Sequence, residues 1–280
     1  MKLPAVLQVD RAVGLGSLAG LFVRPSSRSL LCMGLLCSVL LAGAATAQTN
    51  AAKAPSVLAT LIKWTPLMAE GFALNLMISF SAMLLGTVSG IGLGLATISL
   101  RRPVRRISWI TTQFFRNSPW LALLFFCVYA LPHQATLFGA SFIIPDWTKA
   151  VLGLALPIMA NVAEIVRGTV QAVPTIQWQS ATALGFSRWL TLRLVILPQC
   201  IKPAIPPWMN WYAILTMATP LASIVGVAEA LQVTTEALVS EARFELLIPM
   251  YLYLLTWFFI YCYPIALLTE RLERKFGVIT

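Results

Sequence analysis

The sequence predicts an all-α integral membrane protein with five core transmembrane helices, preceded by an N-terminal signal-like apolar segment. Three observations carry that prediction. Hydrophobic residues fill 59% of the 280 positions and charged residues only 11%, with a mean hydropathy of +0.82. A soluble domain holds about 25% charged and about 45–50% apolar residues, and a single core cannot hide the surplus seen here. The apolar residues also gather into runs of the length a helix needs to cross a bilayer. Finally, the basic residues behind the net charge of +10 flank those runs. Membrane topology places them there, so the charge does not indicate nucleic-acid binding.

Residues 1–47 have the pattern of a targeting segment. Arg11, Arg24 and Arg28 precede an apolar run from Leu30 to Ala45, and Ala45-Thr46-Ala47 fits a small-residue cleavage site. The long basic lead leaves two readings open, a cleaved signal peptide or a retained anchor. Residues 48–70 read as an outer linker, alanine-rich and punctuated by Pro55 and Pro66. The core, 71–277, then holds five spans near 71–99, 107–131, 147–166, 204–226 and 246–268.

Charge distribution supplies an independent orientation. With residue 70 outside, the inner loops hold eleven cations: Arg101, Arg102, Arg105, Arg106, Arg167, Arg188, Arg193, Lys202, Arg271, Arg274 and Lys275. The outer segments hold four: Lys53, Lys63, Lys149 and Arg243. That asymmetry is the positive-inside bias, and it places the C-terminus in the cytoplasm. Glu229, Glu236, Glu241 and Glu245 make the loop after the fourth span acidic. His133 reads as a solvated loop residue.

In the first span, Gly86, Gly90 and Gly94 recur every four residues, a smooth strip along one helix face. The strip suits close helix packing. A phosphate-binding role would need a preceding strand and a nearby lysine. The five cysteines, Cys32, Cys37, Cys127, Cys200 and Cys262, have no metal-ligand spacing and read as small apolar residues.

The inner loop 168–203 reads as two short helical pieces, with Gly185 as the turn between them and Pro198 closing the second. Ser180, Ala181 and Ala183 are small enough for another protein to approach the backbone. Trp178, Phe186 and Trp189 offer apolar anchors.

Glu164-Ile165-Val166-Arg167-Gly168, Val173-Pro174, Gln177-Trp178, Ala183-Leu184-Gly185-Phe186-Ser187-Arg188-Trp189 and Ile196-Leu197-Pro198-Gln199 together resemble the EAA loop of bacterial ABC importer permeases, and more narrowly the polar amino acid permease family. Arg116-Asn117-Ser118-Pro119, the segment Ser223 to Glu229 and the basic tail Leu272-Glu273-Arg274-Lys275 extend the resemblance over about residues 70–277. It implies a cytoplasmic coupling-helix loop in a bacterial inner-membrane protein. It also implies partners: ATP-binding cassette ATPase subunits, a second permease subunit (identical or related) and an extracytoplasmic solute-binding protein. The chain itself would carry no cofactor, ATP being bound by the ATPase partner, and it would move a small polar solute, expected to be an amino acid, by alternating access. On this resemblance Gln179, Ser180, Ala181, Gly185 and Arg188 carry the ATPase contact. Two departures stand out. Gln179 and Ser180 occupy the places of the usual glutamate and first alanine, and Met217-Ala218 replaces a lysine-aspartate pair common in the family's fourth span.

Charge inside lipid costs about 2.5–3.5 kcal/mol at a helix centre on insertion scales, so Arg116 and Glu164 should face the protein interior or a wet cavity. Pro119 should break the helix beside Arg116. Arg116, Asn161, Glu164, Thr219 and Ser223 are the candidate solute-path residues. A structural polar pair, or an inner-edge anchor in the case of Glu164, is the competing reading for the two charged ones. Two other classes fit the sequence less well. A secondary carrier driven by an ion gradient would show inverted repeats and midplane acids, and no convincing repeat is visible. An embedded enzyme needs a catalytic cluster, and one histidine with one acid well inside a span supplies none. No Gly-rich loop followed by Lys-Ser/Thr is present, so ATP hydrolysis belongs to another chain.

Overall fold

A computed structural model describes residues 55–137 and 140–276. The targeting segment, its Ala45-Thr46-Ala47 site, Cys32 and Cys37 lie outside the described residues. The chain divides into two units, Met1–Val57 and Leu58–Thr280, and the second holds the packed helices.

The first helix, α1, runs Val57–Thr97, 41 residues. At about 1.5 Å per residue it is roughly twice as long as the ~30 Å hydrocarbon core. It therefore begins inside the stretch expected to be an outer linker, and Pro66 sits within it, freeing the Ile62 carbonyl without ending the helix. The extra turns have partners. Lys63 Nζ (2.6 Å) and Trp64 Nε1 (2.9 Å) both donate to Glu241 Oε1 on a helix late in the chain.

The expected second span is two helices, α2 (Arg102–Asn117) and the apolar α3 (Trp120–Ala130). Between them Ser118 is extended, as the residue before a proline must be, and Pro119 caps α3. A hairpin follows, β1 (Gln134–Leu137) antiparallel to β2 (Ala140–Ile143) with Gln134 opposite Ile143, which departs from an all-α fold. Its base is closed where Ile144 N donates to His133 O at 2.8 Å. Beside it, Lys149 is completely buried; its Nζ donates to Asp146 Oδ1 at 3.0 Å and lies 3.0 Å from His133 Nδ1. His133 is exposed, as expected of a solvated loop residue, and has Asp146 and Lys149 as charged neighbours.

Helix α4 (Asp146–Ala172) is the central post, packed on α2, α3 and the later helix Leu197–Ala218. The glycine strip of α1 lies against it. A Cβ on Gly86 would stand 2.6 Å from Ile158 Cγ2, on Gly90 2.7 Å from Met159 O, and on Gly94 2.7 Å from Val166 Cβ. Missing side chains are what let these two helices touch along three turns. Gly90→Val should therefore push α1 off α4 and destabilise the folded chain by about 1–3 kcal/mol. Gly92→Val, where a Cβ meets nothing within 4 Å, should leave the melting temperature in detergent unchanged.

After α4 come two short helices, α5 (Thr175–Ala183) and α6 (Arg188–Thr191), then a π-helical turn, Leu192–Ile196, leading into α7 (Leu197–Ala218). A 3-10 segment, Thr219–Val225, ends at Gly226, whose φ of +88° only glycine adopts cheaply. The chain then bends by 51° into α8 (Ala230–Glu241). Finally α9 (Leu247–Phe276) packs on α7, and Phe72 of α1 meets Trp257, Phe258 and Tyr261 edge-on. Ile78, Leu124, Leu154, Ile158 and Leu215 form the fully buried centre.

Among the described residues three helical stretches are long and apolar enough to cross a membrane: Val57–Thr97, Asp146–Ala172 and Phe244–Phe276. A fourth appears if the bent pair ending at Glu241 is one span. The expected count of five is thus not reached by single long helices, because the second expected span is split at Ser118-Pro119.

Candidate functional site

The loop after α4 follows the expected plan in its first half. Helix α5 ends in a Schellman motif: Phe186 N donates to Ala181 O (3.0 Å) and Gly185 N to Thr182 O (2.9 Å), with Gly185 left-handed at φ +80°. Ser187 then caps α6, its Oγ accepting from Leu190 N at 3.3 Å. The second half differs. Pro198 does not close the second piece. Leu197 N reaches back to Leu192 O across the π turn, and Pro198 becomes the second residue of α7, where the helix continues although Pro198 has no N–H to donate.

Of the expected coupling residues, Gln179, Ser180, Gly185 and Arg188 are exposed. Ala181 is turned inward, 4% exposed, so it packs the motif and offers no outward surface. Arg188 stacks its guanidinium 5.3 Å over the Trp178 ring. Trp178, Gln179, Thr182, Phe186, Arg188 and Thr191 surround a cavity of about 540 Å³. Ile176, Leu184 and Trp189 are 60% or more exposed around it. The two-helix knob thus leaves apolar side chains uncovered around an open hollow.

The five candidate path residues do not converge on one place. Arg116 and Glu164 do meet: an Arg116 guanidinium nitrogen lies 3.7 Å from Glu164 Oε1. Arg167 shares the same carboxylate, with Nε donating to Oε2 at 3.0 Å and the terminal nitrogen to Oε1. Asn161 is buried and donates to Pro157 O on its own helix at 2.8 Å. Ser223 donates to Pro220 O at 2.7 Å within its own turn.

Thr219 belongs to a network that sequence reasoning missed. Asn75, Thr219 and Glu229 are all fully buried. Asn75 Nδ2 donates to Thr219 Oγ1 (2.9 Å) and to Glu229 Oε2 (2.8 Å), and Asn75 Oδ1 accepts from Ala230 N (3.1 Å). Glu229 also caps α8, accepting from Leu231 N and Gln232 N at 3.0 and 3.1 Å. Gly71, one turn above Asn75, lets the backbones meet, since a Cβ there would stand 2.7 Å from Ala230 N. Glu229, counted with the outer loop acids, is thus a buried carboxylate with three hydrogen-bond donors, Asn75 Nδ2, Leu231 N and Gln232 N. An amide side chain, Asn75, among the apolar, glycine and hydroxyl residues of the first span was the available signal.

A further cavity of about 480 Å³ between α1, α4 and α7 is walled by Val162, Ile165, Leu197, Ile205 and similar residues, with Arg193 at its edge. Its walls suit apolar contents better than a polar solute. No grouping of three or more metal-ligating side chains occurs among the described residues, and Cys127, Cys200 and Cys262 are free and buried.

Comparison with known proteins adds the following. The family model for the binding-protein-dependent transport system inner membrane component matches residues 82–277. The chain is 32% identical over 212 residues to the probable amino-acid ABC transporter permease protein YckA of Bacillus subtilis, covering 76% of this chain and 90% of that one. It is 28% identical over 214 residues to the glutamine transport system permease protein GlnP of Escherichia coli, covering 76% and 94%. A chain from the crystal structure of an amino acid ABC transporter with histidines superposes at a TM-score of 0.68 and 27% identity, over 80% of this chain and all of that one. The inward-facing MetNI methionine ABC transporter shares the fold, at a TM-score of 0.59 and 16% identity over 76% of this chain and 97% of that one.

Proposed function

The chain belongs to the family of binding-protein-dependent transport system inner membrane components, and from that premise we propose that it carries an amino acid inward through the bilayer. It is a permease subunit of an ABC importer and not itself an enzyme; the ATPase is a separate subunit. The observation that carries the mechanism is the α5–α6 knob, capped through Gly185, with its apolar side chains uncovered.

In this reading two permease subunits form the pathway, the knob docks in a cleft of an ATPase subunit, and an extracytoplasmic binding protein delivers the solute. The positive-inside bias supports a cytoplasmic knob and C-terminus in a bacterial inner membrane. Gln179, Ser180, Gly185 and Arg188 make the contact; Ala181 supports it from within. Closure of the ATPase pair then moves α5 and α6 as a body, and the helical path through the π turn passes that motion to α7. In this reading Arg116 and Glu164, close to the break before Pro119, would exchange their mutual contact for the charged ends of a zwitterion. The relatives' amino-acid transport supports the solute class.

Affinity purification of the detergent-solubilised chain from its native membranes, followed by mass spectrometry, tests the assignment. A nucleotide-binding ATPase should co-purify and be lost in Gly185→Val. A chain that purifies alone and moves amino acids in vesicles without ATP would make it a secondary carrier.

A further inference from the structure

Where α1 ends, positive charge outruns its partners. Arg105 and Arg106 on α2 and Arg167 on α4 line a cavity of about 240 Å³ with Thr97, Trp109 and Gln171. A second cavity of about 320 Å³ shares Thr97, Arg105 and Gln171 with it and continues past Thr175 and Trp178 to Arg188. The carboxylate on this side is Glu164, already engaged by Arg167 and facing Arg116. Among the described residues no ion pair includes Arg105 or Arg106. The side chains of four arginines thus border two adjoining hollows with one carboxylate nearby, an arrangement that repels itself unless an anion enters. Guanidinium groups fit a phosphate in paired fashion. The first N–H groups of α5, which no side chain caps, begin at Thr175 on the wall of the second hollow.

The rest of α2 indicates where that anion comes from. Val104, Ile107, Ile110 and Phe114 recur at helical spacing and are all exposed, away from the buried Ser108 and Thr112. Trp109, half exposed, stands with the arginines. Such a helix sits at a membrane boundary, with an apolar stripe in the acyl region and arginines at headgroup level. We propose that the paired cavities among α2, α4 and α5 bind the phosphate headgroup of an anionic phospholipid, which ties the coupling knob to α2. The inference rests on this cavity and stands whatever solute is carried.

The purified full-length chain is titrated with phosphatidylglycerol or phosphatidylcholine and bound lipid is counted by native mass spectrometry. Phosphatidylglycerol should be retained in preference to phosphatidylcholine. Arg105→Gln with Arg106→Gln should weaken it by about fivefold for each arginine removed. The Lys pair should fall between, keeping charge but losing the planar fork. Arg271→Gln with Lys275→Gln, which removes equal charge from the tail, should change nothing. Equal loss in the tail variant, or no loss in the Gln pair, overturns the site. Displacement of the lipid by inorganic phosphate, with phosphate alone protecting the chain as well, overturns the lipid assignment.

Discussion

Gly185→Val is expected to abolish coupling between ATP hydrolysis and transport while leaving the chain inserted in the membrane. The reasoning is conformational. A Cβ at Gly185 would meet nothing within 4 Å, so no clash opposes a side chain. The φ of +80° does oppose it, at roughly 1–2 kcal/mol for an ordinary residue and more for a β-branched one. Relief of that strain means abandoning the hydrogen bonds from Gly185 N and Phe186 N that close the C-terminus of α5 and set the direction of the chain toward α6. The knob would then hinge where it must push. A graded series checks this: Asn, which tolerates the left-handed region, should retain most solute-stimulated ATPase activity in the reconstituted complex. Ala should retain less and Val little. Equal activity across the series would show that the turn transmits nothing.

Asn75→Ala should be among the most destabilising single changes in the molecule, by about 2–5 kcal/mol. It strands the buried Ala230 N–H and removes one donor each from the buried Glu229 carboxylate and from Thr219 Oγ1, which still donates to Thr216 O. Thermal unfolding in detergent measures the cost. Combining it with Glu229→Gln should cost clearly less than the sum of the two single changes, since one network cannot be broken twice. Additive losses would mean that the three side chains act independently.

What could be seen in the sequence followed from local chemistry. The strip Gly86, Gly90, Gly94 showed a close approach because spacing and side-chain size suffice to define it. Ser118-Pro119 showed a break and Gly185 a turn because backbone restrictions act within a few residues. What was hidden depended on distance or context. Asn75 and Glu229 meet across 154 positions, and no local pattern joins them. The start of α1 looked like a linker because Pro66 punctuates it, yet Glu241 supplies an anchor from far along the chain. Pro198 reads as a stop unless the preceding turn is known to widen to a π geometry. The loop was placed on the right stretch, but burial of Ala181 depends on how α5 is rotated, which only packing decides.

That widened turn has a geometric corollary. A turn holding one surplus residue offsets the angular phase of everything beyond it by about 100°. The face on which Arg188 and Trp189 meet a neighbour is therefore rotated by that fixed angle relative to the one a regular helix would give for α7 against α4 and α9. The backbone between them stays an unbroken rod, so a rotation imposed below reaches the wall above with its phase reset and not lost.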